Sequence, residues 1–171
     1  LKQIVAGGQF DYPRGLFFGG HRESNGFRVL SKHLAEWIAG CERVLHLDLH
    51  TGLGSWATYR LFADERLSRA WSKQLRAVFD EQRIVRPASS SAEYEIRGGL
   101  GRWCGTHFRD HAYLLPYAEF GTYDPVRIVL GLRAENRAHQ WGKPNEESSE
   151  RAKRRLRELF CPASLRWRLR S

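Results

Sequence analysis

The sequence predicts an α/β protein with a mixed or mostly parallel sheet. Three observations predict it. Short apolar runs alternate with longer segments of helical periodicity. Gly-rich turn signals separate the two kinds of segment. Two apolar runs, 43–50 and 112–120, carry titratable residues toward their C-terminal ends, where open α/β sheets place their sites. The chain has 171 residues, which fits one domain, and its 42% hydrophobic fraction with six tryptophans can form a core. The sequence contains no internal repeat.

Residues 1–21 combine paired glycines with aromatics, in Gly7-Gly8-Gln9-Phe10-Asp11-Tyr12-Pro13 and Gly15-Leu16-Phe17-Phe18-Gly19-Gly20. This stretch reads as a long ordered loop whose aromatics need burial. Ser24 is placed to cap a helix reaching about Ala39, with Gly40 as its stop. Phe27, Leu30, Leu34, Trp37 and Ile38 form its expected core face. Arg43 to His50 alternates as a strand, and Thr51-Gly52-Leu53-Gly54 ends it sharply. Trp56 to Phe62 is a second expected strand. Asp64 is expected to cap a helix through about Gln82, with Leu67, Trp71, Leu75, Val78 and Phe79 inward. Ile84-Val85 is a short strand, Ala88 to Ala92 a flexible turn, and Tyr94 to Ile96 weakly extended. Gly98 to Gly101 leads into a short helix ending near Asp110. Ala112 to Phe120 reads as a buried strand with a bulge or an edge at Pro116. Asp124-Pro125 opens a helix to about Trp141, Glu147 to Phe160 forms another, and residues 163–171 begin a last one.

The net charge is +9, which would suit a polyanion. Much of the excess lies between Arg151 and Arg170, where it reads as solvated helix faces, so nucleic-acid binding ranks last among the readings. No run of eighteen apolar residues is present, so no membrane-spanning helix is expected. Cys41, Cys104 and Cys161 are widely spaced without a Cys-x-x-Cys pair, which argues against a thiolate zinc site. They read as three reduced, partly buried thiols, and the expected location is cytoplasmic. The chain starts at Leu1 without Met and without a signal pattern. Either an initiator has been removed or the chain begins inside a longer protein.

His46, Asp48 and His50 share one strand face, with Leu45, Leu47 and Leu49 on the other. A central α/β strand is ordinarily apolar on both faces, so this crowding of polar groups points to a site. The alternative is a hydrogen-bonded core histidine beside a turn-capping aspartate. Glu119 ends the second apolar run, where burying a carboxylate is costly unless it is paired or functional. Such a group can serve as a general base with a raised pKa, or it can simply be a surface residue at a strand end.

Together these stretches resemble a known family. The Gly8–Gly20 loop, Asp48-Leu49-His50-Thr51-Gly52-Leu53-Gly54 and Glu119-Phe120-Gly121-Thr122 look like a bacterial domain-of-unknown-function family. That family lies in the zinc carboxypeptidase superfamily, near its succinylglutamate desuccinylase and aspartoacylase branch. The resemblance extends over Leu132-Arg133-Ala134-Glu135-Asn136 and Phe160-Cys161-Pro162 with Trp167. It implies a three-layer αβα sandwich around a mixed, mostly parallel sheet. It also implies one zinc ion, held by a His and a Glu of an N-terminal His-x-x-Glu motif and by a later His that maps onto His50. The general acid/base of the superfamily maps onto Glu119. Asp48, on the strand face of His50, is the candidate for orienting that ligand, an inference from geometry alone.

The His-x-x-Glu motif should precede the Gly-rich loop, so residues 1–171 are expected to form one partial domain, the C-terminal part of the zinc-hydrolase-like unit. His33-x-x-Glu36 occurs, but in an ordinary amphipathic helix, and reads as coincidence. His21, His107, His111 and His139 read as solvated or capping groups. The expected reaction is hydrolysis of an amide bond in a small-molecule or peptide-like substrate, with the isolated chain inactive and its zinc weak or absent. Arg97 and Arg102 are candidates for gripping a substrate carboxylate by location only. The competing reading is a non-catalytic remnant that acts as a binding or interaction module. Its exposed sheet edge would be covered by the missing N-terminal segment or by self-association.

Overall fold

Strands and helices alternate along the chain, and the computed structural model describes residues 8–63, 68–85 and 99–170. Strand β1 (Arg43–Leu45) pairs in parallel with β5 (Ala112–Leu114). Strand β2 (Asp48–Thr51) pairs in parallel with β6 (Pro116–Phe120). Strand β3 (Tyr59–Ala63) lies antiparallel on the other side of β6, and β4 (Ile84–Val85) lies parallel to β3. The larger sheet therefore runs β2-β6-β3-β4. The class is α/β with a mixed, mostly parallel sheet.

The runs 43–50 and 112–120, expected as single strands, are each split in two. Pro116 has no N–H to donate, so the ladder lapses between Leu114 and Pro116, and the facing strand lapses at His46-Leu47. The His46 N–H still donates to the Leu114 carbonyl across the gap (2.9 Å). The alternation of faces therefore carries through from β1 to β2 and from β5 to β6.

One face presents Val44, His46, Asp48 and His50 beside Tyr113, Leu115, Tyr117 and Glu119. Helices α1 (Asn25–Trp37) and α3 (Leu100–His107) cover its beginning, where Leu34, Ile38, Cys104 and Leu115 form a buried cluster against Val44, Trp103 and Tyr113. The opposite face presents Leu114, Ala118 and Leu61 to helix α2 (Arg69–Val78) through Leu75. Leu61 and Leu75 are each only 1% exposed. Helices thus lie on both faces, while the C-terminal end of the first face is left accessible.

Local chemistry sets the helix starts. The Ser24 hydroxyl accepts from the Phe27 N–H (3.1 Å) at the start of α1. The Asp124 carboxylate accepts from Arg127 N–H (3.0 Å) before α4 (Pro125–Trp141), with Pro125 at its first position. Helix α5 (Glu147–Phe160) packs back on α4, and α6 (Leu165–Arg170) closes the described chain. Gly131 lets α4 and α5 approach closely, because a Cβ there would collide with Leu159.

Several expectations are corrected. The N-cap of α2 is Ser68, and Asp64 and Leu67 lie outside the described residues. Helix α2 ends at Val78, where the backbone turns extended, so Phe79 takes the inward place and Val78 is exposed. A short 3-10 turn, Glu81–Arg83, replaces the expected end of that helix. Trp37 stacks on His33 and is exposed rather than part of the core. Trp56 and Ala57 form a turn, Ala57 with a positive φ of 54°, so β3 begins only at Tyr59. The loop 8–20 is ordered by the Gln9 side chain, which bonds Tyr12 N–H and the Tyr12 and Leu16 carbonyls, while Phe10 and Tyr12 remain exposed. Cys41 and Cys161 are exposed and only Cys104 is buried, all three being free thiols. The turn expected at Ala88 to Ala92 and the extended stretch at Tyr94 to Ile96 lie outside the described residues. Among the described residues no helix is long and apolar enough to cross a membrane.

Candidate functional site

Sheet register brings the predicted residues together. His50 and Glu119 are direct partners in the parallel β2–β6 pair, so their side chains leave the same face. The His50 Nδ1 lies 3.7 Å from Glu119 Oε1. Asp48, two residues earlier on β2, places Oδ2 2.9 Å from His50 Nε2. In neutral His50 this carboxylate takes the Nε2–H, which leaves the Nδ1 lone pair turned toward Glu119. Glu119 is the most enclosed of the three, its side chain 15% exposed against 46% for His50 and 41% for Asp48.

The turn after β2 builds the wall of the site. Gly52 adopts φ +129°, a conformation that favours glycine, and its N–H donates to the Phe120 carbonyl (3.1 Å). The buried Thr122 hydroxyl donates to the Gly52 carbonyl (3.3 Å). Gly121 donates to the Thr58 carbonyl (2.8 Å) and accepts from the Ala57 N–H (3.1 Å). A Cβ at Gly121 would strike the Ser55 carbonyl, so the turn and the end of β6 touch backbone to backbone. From α6, the Trp167 indole N–H donates to the same Gly121 carbonyl (2.8 Å). This turn carries the Leu53 N–H to the Glu119 carboxylate.

Burial pushes the Glu119 carboxyl up from its ordinary value; His50 and the Leu53 N–H pull it down, and Asp48 raises it further. Among the described residues its Oε2 is buried without a hydrogen-bond partner. A buried acceptor left unmatched is costly, and in a site it is a place for a proton or a ligand donor. The arrangement can hold a proton on Glu119, and it presents an oriented imidazole nitrogen beside it.

Further along the same face, the Tyr113 hydroxyl lies 2.8 Å from His46 Nδ1. Burial and the Cys104 thiol beside it push the Tyr113 hydroxyl well above the usual phenol range. His46 is thereby tied to the covered half of the face.

A catalytic zinc ion needs about three protein ligands and an open position. Among the described residues no group of three or more His, Cys, Asp or Glu side chains can hold a metal ion. His50 suits such a centre as one ligand, with Asp48 bonded to it and Glu119 beside it, so the described residues supply fewer ligands than the ion needs. His33 and Glu36 form an exposed pair on α1, 3.8 Å apart. His107 turns Nδ1 to the Trp103 carbonyl of its own helix (3.0 Å), and His21 packs edge-on against Phe18. His111 bonds the Cys41 carbonyl, and His139 is exposed on α4. Arg102 is exposed on α3, and Arg97 lies outside the described residues.

One neighbour escaped the sequence reading. Arg60 of β3 is the antiparallel partner of Glu119, so His50, Glu119 and Arg60 form one row across three strands. The next row is Asp48, Tyr117 and Phe62, with the Phe62 and Tyr117 rings stacked at 5.2 Å. Periodicity assigns Arg60 to a face, but only the antiparallel register of β3 on β6 sets it beside Glu119.

No curated protein and no solved structure matches the chain. A family model described as Protein of unknown function (DUF2817) matches residues 1–170. Spanning nearly every residue, that match shows that the chain belongs to the DUF2817 family.

Proposed function

We propose that the row at the ends of β2 and β6 is this chain's share of a zinc-dependent hydrolase site that cleaves an amide bond, carboxypeptidase-like or N-acyl amino acid deacylase-like. The convergence of His50 and Glu119 on one open sheet face, with Glu119 Oε2 buried and unmatched, carries this reading. His50 is the zinc ligand, through the Nδ1 that faces Glu119. Asp48 holds the imidazole in the tautomer that frees Nδ1. Glu119 is the general acid/base: its elevated affinity for a proton suits it to take one from water and deliver it to the leaving nitrogen. A bound zinc ion would supply Lewis acidity and lower the pKa of a coordinated water. This reading takes one zinc ligand, His50, from the described residues, so residues 1–171 by themselves should hold zinc weakly and be inactive.

The test uses the protein at its full natural length. Zinc content, measured by elemental analysis, should be one ion per chain and should fall away in His50→Ala. In Glu119→Gln zinc should remain while hydrolysis of N-acyl amino acids drops by roughly a hundredfold or more. Zinc content indifferent to His50→Ala would overturn the reading.

The second reading is a non-catalytic interaction module. The exposed Leu45, Leu47 and Leu49 along β1 and β2 favour it, because that strand edge is apolar and, among the described residues, pairs on one side only.

A further inference from the structure

We infer that the cavity between α4 and α5 is a binding site for a phosphate monoester carried on a molecule with a planar ring. The cavity has a volume of about 1060 Å³, ample for a small organic ligand. Arg133, Arg137 and Trp141 line it from α4 and, spaced four residues apart, share one face of that helix. Ser148 and Ser149 line it from the first turn of α5. Leu16 of the Gly-rich loop lines it too, and the Asn136 side chain holds that loop to α4 by donating to the Arg14 carbonyl (2.9 Å). His50, Asp48 and Glu119 are not among the lining residues, so the inference stands apart from the hydrolase reading.

Three observations point to an anion. The charged residues of the lining are the two arginines, with no acid beside them. Neither Arg133 nor Arg137 has an ion pair or a side-chain hydrogen bond among the described residues. Like charges one turn apart repel, and an anion shared between them turns that repulsion into attraction. Second, Ser149 is only 3% exposed, and among the described residues its Oγ is buried without a hydrogen-bond partner. Gly142 makes room for that hydroxyl, because a Cβ there would strike it. A hydroxyl buried without a match is costly, and an oxygen of a ligand in the cavity would accept from it. Third, Ser148 and Ser149 belong to the first turn of α5, whose N–H groups have no intrahelical acceptor, and Glu146 before them makes no side-chain cap. The positive end of the helix dipole therefore borders the cavity. Glu147 and Glu150 of the same turn pair instead with Arg151 (3.2 Å) and Lys153 (3.0 Å). Two guanidinium groups with a helix start suit a dianion, and phosphate has the several acceptor oxygens that these donors need. Trp141 is 61% exposed at the end of the arginine stripe, where its ring offers a stacking surface for a flat ring on the ligand.

The probes are adenosine monophosphate, adenosine and ribose phosphate, titrated by calorimetry into the protein at its full natural length. Adenosine monophosphate should bind saturably and at least about tenfold more tightly than adenosine, the scale of charge-assisted contacts. The double variant Arg133→Gln, Arg137→Gln should erase that preference. Ser149→Ala should weaken adenosine monophosphate by about fivefold. The same variant should leave the urea midpoint unchanged or higher, since it removes an unmatched hydroxyl. Ribose phosphate should bind about fivefold more weakly than adenosine monophosphate, and Trp141→Ala should close that gap. His50→Ala should leave binding unchanged, which separates this cavity from capture of phosphate by a metal at the β2–β6 row. Equal binding of adenosine monophosphate and adenosine, no saturable binding, or a preference that survives the double arginine variant would each overturn the inference. So would binding that ignores Ser149→Ala or is lost in His50→Ala. Equal binding of the two phosphates would overturn the ring requirement and uphold the phosphate site.

Discussion

Glu119 couples the site to stability through its proton. Burial raises its carboxyl above the ordinary value, so the folded chain binds that proton more tightly than the unfolded chain. The sign follows from linkage: the stabilising contribution is complete in acid, below the unfolded value of about 4.3, and is lost as pH rises through the folded value. Glu119→Gln removes this dependence. Relative to the wild type, the variant should gain stability between about pH 4 and about pH 7, seen as a urea midpoint that shifts upward only at the higher pH. An equal shift at both pH values would place the effect in packing. The closeness of Asp48, His50 and Glu119 was only partly legible: polar groups on one face of a strand pointed to Asp48 and His50, whereas Glu119 rested on the family resemblance. Arg60 was not legible, because its meaning depends on which residue of another strand faces it.

At the scale of elements, α4 and α5 were legible nearly to the residue. Asp124-Pro125 combines a capping carboxylate with a proline that fits a first turn, and these signals are local. Trp37 and Val78 were misread because periodicity does not say where a helix stops, and residues at a C-terminus can turn outward. The split of the two long strands hinges on one missing N–H, at Pro116. The crossing of α4 and α5 yields a prediction of its own. Gly131→Ala gains about 1 kcal/mol of helix propensity, whereas overpacking against the buried Leu159 costs about 1–3 kcal/mol. The crowding wins, and equilibrium unfolding should show a net loss of about 1 kcal/mol. A gain would mean that Leu159 can move aside.

At the scale of the whole molecule, the coverage of the sheet is unequal. Helices bury the start of one face and much of the other, yet Leu49 on β2 is 67% exposed beside the exposed Leu45 and Leu47. Among the described residues β2 is an edge strand. An apolar edge of this kind is a pairing surface for another chain. The apparent mass of the 171-residue chain in sedimentation should therefore rise with concentration, and Leu49→Lys should hold it at the monomer value. The α/β class was legible in the alternation of segments. The bare edge was not, since alternation says which side of a strand is apolar and not whether anything lies against it.

The indole of Trp167 has one further consequence. It grips the carbonyl just beyond Phe120, so a helix more than forty residues downstream helps to fix the tilt of the strand that bears the acid. A chain cut after Phe160 would retain every group that could touch a substrate. It would have lost the brace that aims them, and distant damage would then read out as slow chemistry.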